Sequence, residues 1–208
     1  MLTSEIISKF ELQVDDSTEL SSSEELDLAN QIYQEVCSFR PWEFLKATCS
    51  TAITGSGTTI VIPTDFAYMA SNQSTDMNVP DETITAPKGV YVGSDLKFVR
   101  MINYGDRRQY ANQDVCYIDP TDSKIHFVMA QTETTQSFDY IKVPADLTLA
   151  TSPIFPARFH DVIVYGMASN DYVIQQSDLT KGFTQANAKR YQDVLNDMSY
   201  WHAQSFFN

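Results

Sequence analysis

Basic residues are scarce in this chain: 14 Lys and Arg stand against 27 Asp and Glu among 208 residues, a formal net charge of −13. A protein that grips a phosphate backbone carries a basic stripe, and no stretch supplies one, so direct nucleic-acid binding is disfavoured. Cysteine is sparse as well. Cys37, Cys49 and Cys116 are odd in number and lack paired spacing, which removes the signature of a disulfide framework or a thiolate zinc site and predicts free buried thiols. Long apolar runs are missing: nowhere do about eighteen apolar residues follow one another, and the N-terminus shows no basic segment leading into an apolar one, so neither a membrane anchor nor a signal peptide is expected. GxSxG, HExxH, Walker and paired-Cys motifs are absent, and Gly55-Ser56-Gly57 lacks the third glycine, the following helix and the lysine of a nucleotide loop. No cofactor or metal is expected.

What is present begins with helices. Residues 3–14 place Ile6, Ile7, Phe10 and Val14 at helical spacing. The acidic turn at Asp15-Asp16 then leads into a capped amphipathic helix, where Ser21 and Ser22 each stand three residues before a glutamate, Glu24 or Glu25. Leu26, Ala29, Ile32, Tyr33, Val36 and Cys37 form its apolar face, with Glu25, Asp27, Gln31, Gln34 and Glu35 on the wet one. Pro41 forces a turn that brings Trp42, Phe44 and Leu45 back onto the apolar face. Helix returns from Pro156 to about residue 176 through Phe159, Val162, Ile163 and Met167. Lys181-Gly182 marks a break, and a last helix from about Thr184 to Gln204 presents Ala188, Tyr191, Leu195, Met198 and Trp201 in register.

The middle has a different texture. Thr48–Thr54 and Thr58–Ile62 flank Gly55-Ser56-Gly57 as a hairpin, and Gly89–Val92 and Leu96–Tyr104 flank Gly93-Ser94-Asp95. Val115–Ile118 and Lys124–Val128 flank Asp119-Pro120-Thr121-Asp122-Ser123, and Gln136–Val143 makes a last strand, while residues 65–80 form a long irregular loop. The fold class this predicts is α+β: a helical bundle formed by N- and C-terminal helices with an inserted small antiparallel β-sheet module. The divisions are residues 1–46, 47–144 and 145–208.

Chemistry finds few footholds. His160 beside Asp161 is the best catalytic candidate, yet neighbours on a helix point about 100° apart and form no base-and-orienter pair. His126 alternates within a strand and reads as a half-exposed sheet residue. Asp65, Asp119 and Asp122 make a conceivable carboxylate cluster, although aspartates at turns serve backbone bonds. Arg107 and Arg108 stand out in an acidic chain as a pair able to clamp carboxylates.

The ordered segments FELQVDD, ELDLANQIYQEVCSFRPWEFL, PTDFAYM, CYIDPTDSKIHF, DYIKVPADLTL, PIFPARFHDVIVYGMA and DMSYW resemble the head-to-tail adaptor, or neck, proteins of tailed double-stranded DNA bacteriophages, across nearly the whole chain. The resemblance implies a structural, non-enzymatic virion protein made in the host cytoplasm. Such a subunit docks beneath the portal protein as a homo-oligomeric ring of about twelve copies, joins the capsid vertex to a downstream tail or neck protein and leaves a channel for DNA that passes without specific binding. Tyr200, Trp201, Phe206, Phe207, Arg107 and Arg108 are the interface residues this reading selects, the aromatics as anchors. Leu26, Ile32, Val36, Trp42, Phe44, Phe159 and Ile163 are the expected core. The rival readings are a stopper, gatekeeper or tail-tube protein, a hydrolase using His160, and a carbohydrate-binding module on the sheet.

Overall fold

The computed structural model describes residues 1–14, 20–70, 88–170 and 181–204. The chain divides into two compact units, one of Met1–Phe44 with Pro144–Asn208 and one of Leu45–Val143.

The first unit holds four helices among the described residues: α1 (Thr3–Val14), α2 (Ser22–Ser38), α3 (Asp161–Asn170) and α4 (Lys181–Gln204). In α1, Thr3, Ile6, Ile7, Phe10 and Val14 are buried, one stripe at the spacing an amphipathic helix requires. α2 starts where the first of the two capping pairs places it: the Glu24 carboxylate accepts the Ser21 backbone N–H at 2.8 Å and the Ser21 hydroxyl at 2.6 Å. Glu25, placed on the wet face by its charge, is instead buried, and Leu26 is only half-buried. The stripe is rotated by one residue at its N-terminal end.

The centre of this unit is α3 rather than α2. Val162, Ile163, Val164, Gly166, Met167 and Ala168 are all buried, the all-round apolarity of a helix surrounded by others, and α3 touches α1, α2 and α4. Gly166 is what lets them approach. A Cβ there would collide with Ile32 Cγ2 of α2 and lie 3.1 Å from the Tyr191 ring of α4. α4 buries Asn187, Leu195, Met198 and His202, while Ala188 is exposed. The helix begins at Lys181, three residues ahead of the expected start at Thr184. At the end of α2, Trp42 is fully buried, and its Nε1–H donates at 2.7 Å to the Val36 carbonyl, which the Phe39 N–H reaches only at 3.4 Å.

The second unit overturns the expectation of a helical bundle with a small inserted antiparallel sheet: the fold is mostly sheet, an eight-stranded, nearly closed barrel, with the helices beside it in sequence. Its strands are β1 (Lys46–Ala52), β2 (Thr59–Val61), β3 (Phe66–Met69), β4 (Gly89–Val92), β5 (Lys97–Met101), β6 (Val115–Asp119), β7 (Lys124–Phe127) and β8 (Thr135–Lys142). The order is β1-β8-β4-β5-β6-β7-β2, with β3 pairing β8 beyond β4. The β4/β5 and β6/β7 hairpins form as the turn residues predict. β1 and β2 do not form a ladder. β1 is taken along its whole length by β8, from Lys46↔Ile141 to Ala52↔Thr135, and β2 by β7, leaving one bridge at Thr54↔Thr59. Three successive positive φ values, at Gly55, Ser56 and Gly57, turn the chain left-handed there, and the divergence brings the two ends of the strand order toward closure. β5 and β6 pair in parallel through Arg100↔Val115 and Met101↔Cys116, a second departure from an all-antiparallel module. Ile60, Val90, Val99, Cys116, Ile125 and Phe138 fill the interior, with Phe138 1% exposed.

Candidate functional site

The three histidines are each committed to structure. His160 is buried just ahead of α3, and its Nε2–H donates to the Phe155 carbonyl at 2.9 Å, while the ring stands edge-on to Phe155. Burial, outweighing the opposing bond to the Phe155 carbonyl, pulls its pKa below the ordinary histidine value. Its sequence neighbour Asp161 is engaged elsewhere, with Lys9 Nζ of α1 at 2.8 Å. His202 on α4 accepts the Glu43 backbone N–H at Nε2, 2.8 Å away, and meets the Trp42 ring edge-on at 5.4 Å. Burial first and the Arg40 charge second lower its pKa too. Sequence reasoning gave His202 no role; its i+4 spacing from Met198 on the buried stripe was the available signal.

In the sheet unit, His126 stacks on Tyr117 at 5.6 Å, and its Nε2 lies 3.0 Å from Asp122 Oδ2. Asp119, Asp122 and His126 bring one ligand atom each to within 4.8 Å of one another, the grouping among the described residues best placed to hold a cation. Their oxygens already have work. Asp119 Oδ1 accepts the Thr121 N–H at 2.9 Å and the Thr121 hydroxyl at 2.6 Å, and Asp122 pairs with Lys124 at 3.7 Å, which is how an aspartate-rich turn satisfies its own backbone. Asp65 does not join them; it accepts the Tyr140 hydroxyl at 2.9 Å. Cys37, Cys49 and Cys116 are free and buried, and burial pushes the Cys37 and Cys116 thiols up to about 12, so both are protonated and inert.

The interface candidates lie apart in character. Tyr200 is 68% exposed on α4. Trp201, the next residue, is half-buried against Phe159 at 5.6 Å, with the Arg158 guanidinium 5.2 Å above its ring. Phe206 and Phe207 lie outside the described residues. Arg107 and Arg108 do not form one clamp. Arg107 folds onto its own turn, donating to the Tyr104 carbonyl at 2.7 Å with its guanidinium 3.7 Å from the Tyr104 ring centroid, whereas Arg108 is exposed. Of the expected core, Ile32, Val36, Trp42 and Ile163 are fully buried and Phe159 is buried, while Leu26 and Phe44 are half-buried.

One feature no motif announced is an open groove of about 500 Å³ within the sheet unit. Phe66, Met69, Met101 and Ile118 give it an apolar floor, and Tyr68, Lys88 and Tyr104 stand around it. Lys88 Nζ lies 6.0 Å from the Tyr68 ring centroid, and Arg107 covers Tyr104, so a cation flanks each tyrosine. The residues come from β3, the position just ahead of β4, the end of β5 with the segment after it, and β6, which explains why no local pattern marks it.

The described histidines and thiols are held in packing and turns, while exposed aromatic and cationic groups occupy surfaces. A family model described as SU10 adaptor protein matches residues 1–205, and the chain belongs to that family, a family of structural phage adaptors. It is accordingly a virion component that associates with other phage structural proteins. A comparison with curated proteins finds no match. No helix among the described residues is long and apolar enough to cross a membrane.

Proposed function

We propose that the chain is the head-to-tail adaptor of its virion, a ring of about twelve copies docked beneath the portal and joined on its other side to a tail or neck protein. The observation that carries this reading is the adaptor-family match over residues 1–205. Two further features support it. A closed ring needs two different complementary patches on each copy, and the chain offers chemically unlike surfaces: a strongly acidic helical unit and a sheet unit with exposed cations and an apolar groove. Twelve copies at −13 each would also carry roughly −150 formal charges, and acids facing a lumen repel phosphates and favour passage of DNA over adhesion.

Mass measurement of the purified full chain with and without portal protein tests the reading. A complex holding about twelve copies per portal ring is expected. A portal that leaves the chain monomeric and unbound overturns it. Removal of residues 204–208, which include Phe206 and Phe207, is expected to abolish portal attachment while leaving the thermal transition in place; undiminished attachment would sink the anchor role assigned to the C-terminal aromatics.

A further inference from the structure

The groove of the sheet unit and the exposed face of α4 have complementary chemistry. On α4, Asp193, Asp197 and Tyr200 are all exposed and lie at i, i+4 and i+7, so they form one stripe along the helix. That stripe carries two carboxylates followed by an aromatic ring that is 68% exposed. A tyrosine left this bare on a helix gains little by staying in water, since its ring is apolar and its hydroxyl alone is polar. The groove is the reverse: an apolar lining that includes Met69, Met101 and Ile118, with Lys88 in the lining and Arg107 lying over Tyr104, another lining residue. Arg108 adds a further exposed cation, with no ion pair to it among the described residues.

We propose that the groove receives the Asp193–Asp197–Tyr200 stripe of α4 from a second copy of the chain, Tyr200 entering the apolar floor and the two aspartates facing Lys88, Arg107 and Arg108. The match is one of charge and shape together. The stripe needs an apolar recess with cations near it, and the groove of about 500 Å³ has room for a tyrosine ring with Lys88 in its lining and Arg107 on Tyr104. Because donor stripe and receiving groove are different surfaces, the contact is heterologous: each copy gives one and takes one, and the chain of contacts closes or extends rather than stopping at a pair. The inference rests on the ring reading above and assigns it a specific joint.

A cysteine pair introduced into the full chain tests it. All three native thiols are buried, so Tyr200→Cys combined with Tyr68→Cys supplies the reactive sulfurs. Mild oxidation, alone and with portal present, is expected to give a ladder of covalent dimers, trimers and higher species, while either single variant stops at dimers. Adding Arg107→Glu with Arg108→Glu is expected to lower ladder yield about tenfold, and a further Asp193→Arg with Asp197→Arg to restore it, because like charges across an interface repel. Absence of a ladder, a bridge formed within one copy, or a yield indifferent to charge reversal would each overturn the assignment. A groove filled by the chain's own residues 71–87, or by a portal segment, would give the first of these outcomes. The two readings fail separately: a ring on the portal without a ladder removes the groove joint and leaves the ring, whereas single copies on the portal without a ladder remove both.

Discussion

The helical unit and the sheet unit divide the work of an acidic protein unequally. Residues 1–44 and 144–208 hold 16 acidic and 6 basic side chains, against 11 and 8 in residues 45–143. The first unit therefore carries a formal charge of −10 and the second −3. Cations are used in the same two ways in both: Arg40 and Arg158 lie over Trp42 and Trp201 and Lys9 pairs with Asp161 in the first, while Arg107 lies over Tyr104 and Lys46 and Lys97 pair with Asp139 and Asp114 in the second, which also leaves Arg108 at the surface. Glycine is used differently. Gly166 serves helix packing, whereas Gly55, Gly57 and Gly93 serve turns at positive φ. Charge that discourages adhesion thus gathers on the element type held by side-chain packing, and the groove with cations gathers on the element type held by backbone ladders. In a ring of such subunits, repulsion and attachment would be assigned to different parts of one chain.

Breaking each core separately puts the division under most strain. Trp42→Ala removes the cap on Val36 and the ring stacked on Phe44, and Phe138→Ala empties the barrel interior; each is expected to cost about 3–5 kcal/mol. Denaturant unfolding followed by tryptophan fluorescence, which reports Trp42 and Trp201 in the helical unit, should register Trp42→Phe-controlled losses there. The comparison breaks if Phe138→Ala lowers that transition as far as Trp42→Ala does. A smaller loss, about 1–3 kcal/mol, is expected for Gly166→Ala, because the added methyl meets Ile32 and Tyr191 on two different helices. Pairing it with Ile32→Leu, which lacks the Cγ2 methyl that the new Cβ meets, should recover part of the loss, measured on the same transition.

Acid should separate the units more gently. His160 and His202, both in the helical unit, have pKa values lowered by burial, so the unfolded chain binds more protons than the folded one as pH falls below the ordinary histidine value of about 6.5. Their stabilising contribution is complete above that value and is lost as pH drops toward the folded-state values. His202→Gln, which keeps an acceptor for the Glu43 N–H, is expected to flatten the decline between about pH 6.5 and 5; an unchanged slope would remove His202 from the account. The smallest effect belongs to the thiols. With Cys37, Cys49 and Cys116 buried in both units, an aromatic disulfide reagent should label none of them in the native protein and all three after denaturation.

Local elements were legible in the sequence and closure was not. The limits of α1 and the start of α2 follow from Ser21, Glu24 and the 3.6-residue period, signals written within a few residues. The period places a face only to within one residue, however, and that tolerance put Glu25 in water and Ala188 in the core, where the structure has Glu25 and Asn187 buried. The hairpins at Gly93 and Pro120 were equally readable. The β1–β8 ladder joins residues some ninety positions apart and the β5–β6 pair is parallel across a connection with no regular strand, and neither leaves a trace in local pattern. That is why a barrel was taken for a small insert. The same holds for the groove, assembled from four separate stretches, and for Tyr200, whose exposure no periodicity could tell from the half-burial of Trp201 beside it.

The Gly55–Gly57 turn has a practical corollary for anyone wishing to decorate this protein. A short glycine-rich surface turn is the customary place to insert an epitope or a fluorescent tag, yet here the Gln131 N–H bonds to the Gly57 carbonyl at 2.8 Å, and a Cβ on Gly57 would strike the Gln131 carbonyl. The turn is clasped to the run of chain that leads into β8, so cargo spliced there would pry at the seam where the barrel comes together.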